Sequence, residues 1–458
     1  MNCVNKLLAA FTLIVNLLIF SGCEKFLAEK TSKKLVVPQQ LEDFQALLDN
    51  VSFTNLTGVS AGAVSSDDYY LPDVKFDALT SENDRRMYTW EKDYVFSTDG
   101  FNNWSDTYNS VYYSNTVILG IEGIVRTPAN AKEWDNVKGQ ALFCRGYSFL
   151  DAATIWCLAY DEKTAVKDLG LPLRLNTNFN ESSKRSTVQK TYEQIISDLK
   201  GAVALLPSNA LSKFRANKAA AYGLLARTYL FMRKYREANL YADSSLMQQK
   251  ELLDYNNLTL GAAYPIDMSV NPEFLYARYL KTTPVLSTTN PVTLPELYNS
   301  FEDDDLRKRA FFAKNSDGSF YFKGSYFGRS SLFSGIATDE VLLIKAECMA
   351  IENDPHGCIA LINQLRLKRW DKNKVYSPYS TSDPVEARKL VIIERRKELM
   401  MRGLRWMDVK RLNKEGYNIS LSRAVHGKTY TLGANDLRFA LPIPEDVIAL
   451  SGMEQNKR

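Results

Sequence analysis

The stretch from Pro384 to Leu412, PVEARKLVIIERRKELMMRGLRWMDVKRL, constrains the fold more than any other part of this chain. Asp383 can cap a helix, Pro384 suits its first position, and Glu386 completes a capping box. Glu394, Glu398 and Arg402 follow one turn apart on one face. Gly403 supplies a left-handed stop. Beyond it, Leu404, Trp406 and Val409 alternate with Arg405, Asp408, Lys410 and Arg411. The pattern predicts two packed helices meeting at a charge-tied corner, with Arg405 paired to Glu398 across Gly403. Structural ion-pair networks cluster carboxylates as active sites do. These residues therefore read as scaffold.

The same residues carry a family likeness. Glu394, Arg395, Glu398, Leu399, Gly403, Arg405, Trp406, Asp408 and Arg411 resemble the C-terminal signature of the SusD/RagB family, I-x-x-E-R-x-x-E-L-x-x-E-G-x-R-W-x-D-L-x-R. Arg402 departs from it, where an acid is usual. Four further blocks resemble the family: Trp104 to Ile118, GQALFCRGYSFLDAATIW within Val137 to Tyr160, Thr187 to Pro207, and LPIPEDVI near the C-terminus. The resemblance implies a mainly α, SusD-like fold. Tetratricopeptide-like helix pairs would carry long irregular ligand-binding loops and a small β-hairpin content. It implies a nutrient-binding lipoprotein of Bacteroidetes outer membranes, sitting as a lid on a SusC/RagA-type TonB-dependent transporter.

Helix pairs are also legible from the residues. In Ala219 to Ala242, Leu225, Ala226, Tyr229, Tyr235 and Ala238 sit where a tetratricopeptide repeat places its packing residues. Asp339 to Trp370, broken near Asp354-Pro355, reads as a similar pair. Several such pairs in one chain support one another, because stacked repeats bury their faces on neighbours. Leu41, Phe44, Leu47 and Leu48 give one buried face to a helix over Pro38 to Asn50.

The N-terminus reads as a leader. Lys6 precedes an apolar run from Leu7 to Phe20, too short to span a bilayer. Phe20-Ser21-Gly22-Cys23 resembles a lipobox, which implies cleavage before Cys23 and its acylation. Several acyl chains on one residue make a stable anchor. The expected organisation is a signal peptide over 1–22 and a lipidated tether over 23–37. One compact unit follows, made of a SusD-like N-terminal part over 38–250 and a C-terminal part over 251–458.

Composition excludes several functions. The chain of 458 residues has a formal net charge of +4, which argues against a nucleic-acid partner. Two His residues starve His-based triads and zinc sites. No nucleophile elbow, phosphate loop or metal-ligand cluster appears, so no cofactor and no enzyme activity is expected. Glu302-Asp303-Asp304-Asp305 lacks EF-hand spacing and reads as the acidic first turn of a helix near Leu306. None of the six Cys forms a CxxC pair. Cys144 and Cys157 stand about 20 Å apart along one helix, too far for a disulfide. Cys348 and Cys358 lie on adjacent helices and could approach, although buried free thiols are the favoured reading.

Two segments break the helical pattern, Val51 to Asn103 and Leu252 to Gly335. Long irregular segments in a compact protein are usually functional or disordered, and aromatic content this high argues against disorder. Asp67, Asp68, Tyr69, Tyr70, Arg86 and Trp90 in the first, with Tyr326, Phe327 and Arg329 in the second, are the candidate ligand contacts. Their rings lie outside helical periodicity, and the charged residues among them could bind hydroxyls or peptide groups. The function expected is capture of an oligosaccharide for a TonB-dependent transporter. Peptide capture and a helical scaffold without a small ligand are the alternatives.

Overall fold

The computed structural model describes residues 38–96 and 102–458. The leader, Cys23 and the tether lie outside the described residues. In chain order the elements are α1 (Leu41–Asp49), α2 (Val51–Thr54), α3 (Ala61–Ser65), β1 (Tyr69–Tyr70), α4 (Asp73–Asp77), α5 (Glu82–Tyr88), α6 (Asn103–Gly120) and α7 (Ala131–Trp156). Then come β2 (Leu169–Pro172), β3 (Arg185–Thr187), α8 (Val188–Leu205), α9 (Lys218–Phe231), α10 (Tyr235–Gln248), β4 (Phe274–Tyr276), β5 (Val292–Thr293), α11 (Pro295–Asn299) and α12 (Arg307–Phe311). The C-terminal part has β6 (Phe312–Lys314), β7 (Phe320–Phe322), β8 (Ile336–Ala337), α13 (Thr338–Ile351), α14 (Pro355–Arg369), α15 (Pro384–Glu398), α16 (Arg405–Asn413), β9 (Leu421–Val425), β10 (Lys428–Leu432) and α17 (Glu445–Ser451). The fold is mainly α, as the sequence predicts.

Helices start where short polar side chains cap them. Thr187, Asn217 and Asp354 accept from the backbone amides of Lys190, Ala220 and Gly357. Pairs α9–α10 and α13–α14 turn in the same way, each with one left-handed residue in its short connection, Arg233 at φ 60° and Asn353 at φ 65°. Helix α7 is buried nearly all round from Val137 onward. Small residues make this possible: a Cβ on Gly146 would lie 3.2 Å from Asp198 and Leu199 of α8.

The two irregular regions are bonded to each other, Asn55 donating to the Ala277 carbonyl at 2.8 Å. β1 pairs antiparallel with β5, joining Tyr69 to Thr293, and so links the two regions. β4 pairs with β8 and carries the chain back to α13. β6 and β7 form an antiparallel hairpin that joins Phe312 to Phe322. The four described cysteines are free and buried, and burial pushes the thiols of Cys144 and Cys157 up to about 11.

The corner at α15 and α16 departs from the expected pairing. Asp383 caps through the amide of Val385. Helix α15 ends at Glu398, before Gly403, which is left-handed at φ 77°. Glu398 is met by Arg307 at 2.8 Å and Arg369 at 2.6 Å, not by Arg405. Arg405 reaches instead to Asp67 at 2.7 Å, because α16 faces the first irregular region. Arg402 binds Asp339, Arg395 binds Asp408, and Arg411 binds both Glu347 and Asp408. Asp305 joins the network through Arg307, beyond its place beside a helix start.

Burial would push these carboxyls up, yet facing guanidinium groups hold Glu340, Glu347 and Asp408 below the usual carboxylate range. Removing one partner strands the others in a dry interior. Glu398→Ala should therefore cost about 3–5 kcal/mol, read as a lower melting temperature or urea midpoint. A variant that unfolds with the parent would show that water reaches Arg307 and Arg369.

Candidate ligand site

The rings expected to stack on a ligand are mostly core, which corrects the sequence reading. Trp90 is 2% exposed, its Nε1 donates to the Ser65 carbonyl at 2.9 Å, and Arg423 lies 4.8 Å from its ring centre. The Tyr69 hydroxyl donates to the Val64 carbonyl at 2.8 Å. Tyr326 is 4% exposed and donates to Asp339. Phe327 is buried and stacks on Tyr279 at 4.0 Å. The reason is physical. A segment can lack helical period and still face inward, and here the loop rings are buried against Ser65, Arg423, Phe274 and Phe333.

The candidate charges are similarly engaged. Asp67 is salt-bridged by Arg405 and Arg396, whose charges outweigh burial and hold it at about 2. Burial raises Asp68, with Arg396 offsetting part of that rise. Arg86 pairs with Glu82 at 2.9 Å and donates to the Tyr94 carbonyl. Tyr70 is half-buried on β1. Arg329 is exposed, with its guanidinium over the Tyr279 ring at 5.1 Å. These residues do not converge on one cleft: β1 and the Trp90 cage pack at Arg423, while Tyr326 and Phe327 pack around Phe274 and Phe333. Because Trp90 is core, Trp90→Ala should destabilise by about 3–5 kcal/mol. Parent-like melting with altered ligand affinity would restore it to the site.

A better-formed cleft lies between α6, residues 172–183 and the C-terminal segment at Val447, Ser451 and Met453. It encloses about 280 Å³. Trp104, Tyr108, Tyr112 and Phe179 supply its rings, and Asn115, Arg174, Asn176, Thr177, Glu181 and Ser183 its polar lining. Phe179 is 76% exposed and leans on Tyr112, centroids 4.8 Å apart and planes at 31°. Such exposure of a large ring above a polar groove is informative, where a scattered exposed Leu is not.

The groove is assembled from within. Asn115 on α6 donates to the carbonyls of Arg174 and Asn176 at 3.0 and 3.2 Å. Its own Oδ1 accepts from Arg145 at 2.9 Å, and Arg145 is locked to Asp198 of α8. The Tyr108 hydroxyl donates to the Pro172 carbonyl at 2.9 Å. Arg174 donates to the carbonyls of Asn178 and Glu181, drawing the loop around itself. Asn176 donates to Glu181 at 2.5 Å. The ring of Phe179 is thus held over the cleft, which lowers the ordering cost of binding. The sequence reading missed Tyr112, Asn176, Phe179 and Glu181. One signal was available: Phe179 stands alone in the polar run Asn176-Thr177-Asn178-Phe179-Asn180.

Rings beside amides and a carboxylate suit binding. Hydrolysis of a glycosidic bond uses two flanking carboxyl groups, and Glu181 is the one carboxylate among the described residues lining the groove. Elsewhere Glu273, Asp339 and Glu398 approach within 4.8 Å of one another. Arg369 faces Glu273, Arg402 faces Asp339, and Arg307 and Arg369 face Glu398, so guanidinium groups already supply the balancing charge.

A family model described as starch-binding and associating with the outer membrane matches residues 25–230, and the SusD family model matches residues 338–457. The chain belongs to the SusD/RagB family. Solved structures agree on the fold of this family member. A SusD superfamily protein from Bacteroides thetaiotaomicron is 21% identical with a TM-score of 0.72, covering 92% of this chain and 100% of its own. A SusD-like carbohydrate binding protein from Bacteroides vulgatus is 20% identical with a TM-score of 0.67, over 90% of this chain and 97% of its own. A SusD superfamily protein from the same species is 20% identical with a TM-score of 0.71, over 92% and 99%. No curated protein matches.

Proposed function

We propose that this SusD/RagB protein is a lipid-anchored receptor on the outer membrane that captures oligosaccharide and hands it to a TonB-dependent transporter of the SusC/RagA type. The observation that carries the glycan reading is the Phe179–Tyr112 platform beside Asn176 and Glu181. Sugar rings present C–H faces that pack on aromatic faces, and hydroxyls that pair with amides and carboxylates. The family description as starch-binding supports the same chemistry. A groove already bonded into shape lowers the ordering cost of capture.

A combined Tyr112→Ala and Phe179→Ala variant should keep the parent's melting temperature, since Phe179 is exposed and Tyr112 half-buried. Its affinity for the oligosaccharide bound by the parent should fall at least about tenfold, about 1.4 kcal/mol. Calorimetry against oligosaccharides and peptides in parallel decides the ligand class. A parent that binds peptides and no sugar would replace the glycan reading with the peptide one.

The anchor is tested separately. Cys23→Ala removes the thiol that acylation needs, and should leave the protein unprocessed or soluble in cell fractions. Quantitative recovery of this variant with outer membranes, carrying fatty-acid label, would remove the lipobox reading.

A further inference from the structure

The outer face of α6 is chemically unusual. Of its eighteen residues only Asp106 is charged, and Lys281 pairs with it at 3.3 Å. Helices that face water normally carry charge there. Ser105, Asn109 and Leu119 are exposed on this helix, Tyr112, Tyr113 and Thr116 are half-buried beside them, and the half-buried Asp106, engaged by Lys281, is the one charge on that side. The rings on it are also continuous. Phe179 leans on Tyr112, Tyr112 meets Tyr113 edge-on at 5.7 Å, and Tyr113 stacks on Phe53 of α2 at 3.7 Å and 14°. Phe53 and Tyr113 are both half-buried. Neither belongs to the lining of the groove described above.

We propose that Phe53 and Tyr113 form a second subsite, so that a neutral, linear oligosaccharide runs from the groove along α6 onto α2. This rests on the glycan reading of the groove. Hydroxyls, amides and ring surfaces match an uncharged polyol chain. A sulfated or uronic-acid chain calls for cationic side chains along its track; α6 offers none, Lys281 beside it is paired with Asp106, and Arg174 of the groove is engaged by the carbonyls of Asn178 and Glu181. The platform lies one side chain beyond Tyr112, so a ligand confined to the groove does not reach it. Chain length therefore separates the two subsites.

The test is calorimetry with malto-, cello-, xylo- and manno-oligosaccharides from disaccharide to octasaccharide, on the parent and on two double variants. Phe53→Ala with Tyr113→Ala should weaken binding of the longest chain of the binding series about tenfold and leave the shortest bound chain unchanged. Tyr112→Ala with Phe179→Ala should weaken every length. Equal weakening of short and long chains by the Phe53 and Tyr113 variant would overturn the subsite, as would unchanged affinity for the octasaccharide. If the Tyr112 and Phe179 variant binds every length like the parent, the groove reading itself falls and takes the subsite with it. Phe53→Ser alone is the milder variant should the double variant melt early, and the same length dependence is expected of it.

Discussion

Buried guanidinium–carboxylate pairing holds this molecule together. Arg307, Arg369, Arg402 and Arg411 are each sequestered from water, and each meets at least one buried carboxylate. The pairs do not lie within one helix layer. They tie α15 and α16 to α13, to the end of α14, to the turn before α12, and through Arg405 to the loop at Asp67. Hydrophobic burial supplies the drive to collapse, but apolar contacts are non-directional. Forked, planar guanidinium groups impose geometry. That explains how a chain with two long irregular regions reaches one arrangement of them. The burial of so many charges is costly unless every one is met, so the network selects against any packing that leaves one unpaired.

The groove depends on the same principle at smaller scale. Arg145, clamped to Asp198, fixes Asn115, and Asn115 fixes the carbonyls of Arg174 and Asn176. Each step is a hydrogen bond from a helix to the next shell outward. A surface loop would ordinarily be among the more mobile parts of a protein. Here its shape is passed outward from a buried ion pair, and the exposed ring of Phe179 inherits that order.

Much of the helical frame was legible from the residues. Apolar spacing marked α1, repeat-like packing residues marked the pairs α9–α10 and α13–α14, and the family likeness marked α8, all near their observed ends. The left-handed Gly403 was legible because its signal is local, although α15 itself stops at Glu398. The partner of Arg405 was not, since Asp67 stands 338 positions away and nothing local points to it. The loop rings were misjudged on a related ground. Period reports which face of a regular element is buried, and Trp90 or Tyr326 belongs to no such face. Their inward turn depends on Arg423, Ser65, Glu273 and Asp339, which only the folded chain brings together. Phe179 was overlooked because a single ring in a polar loop carries little weight until its neighbours are known.

The link between Asp67 and Arg405 has a consequence for the order of folding. A chain made from its N-terminus presents Asp67 early and Arg405 only after most of the sequence has appeared. The same holds for the Trp90 cage, whose Arg423 comes later still. Contacts of such long separation form slowly, because loop closure precedes any reward. The first irregular region is therefore left without these partners while the remainder is being made. That delay leaves Asp67 and the Trp90 loop open to water, and to any early partner, until the last fifth of the chain is in place.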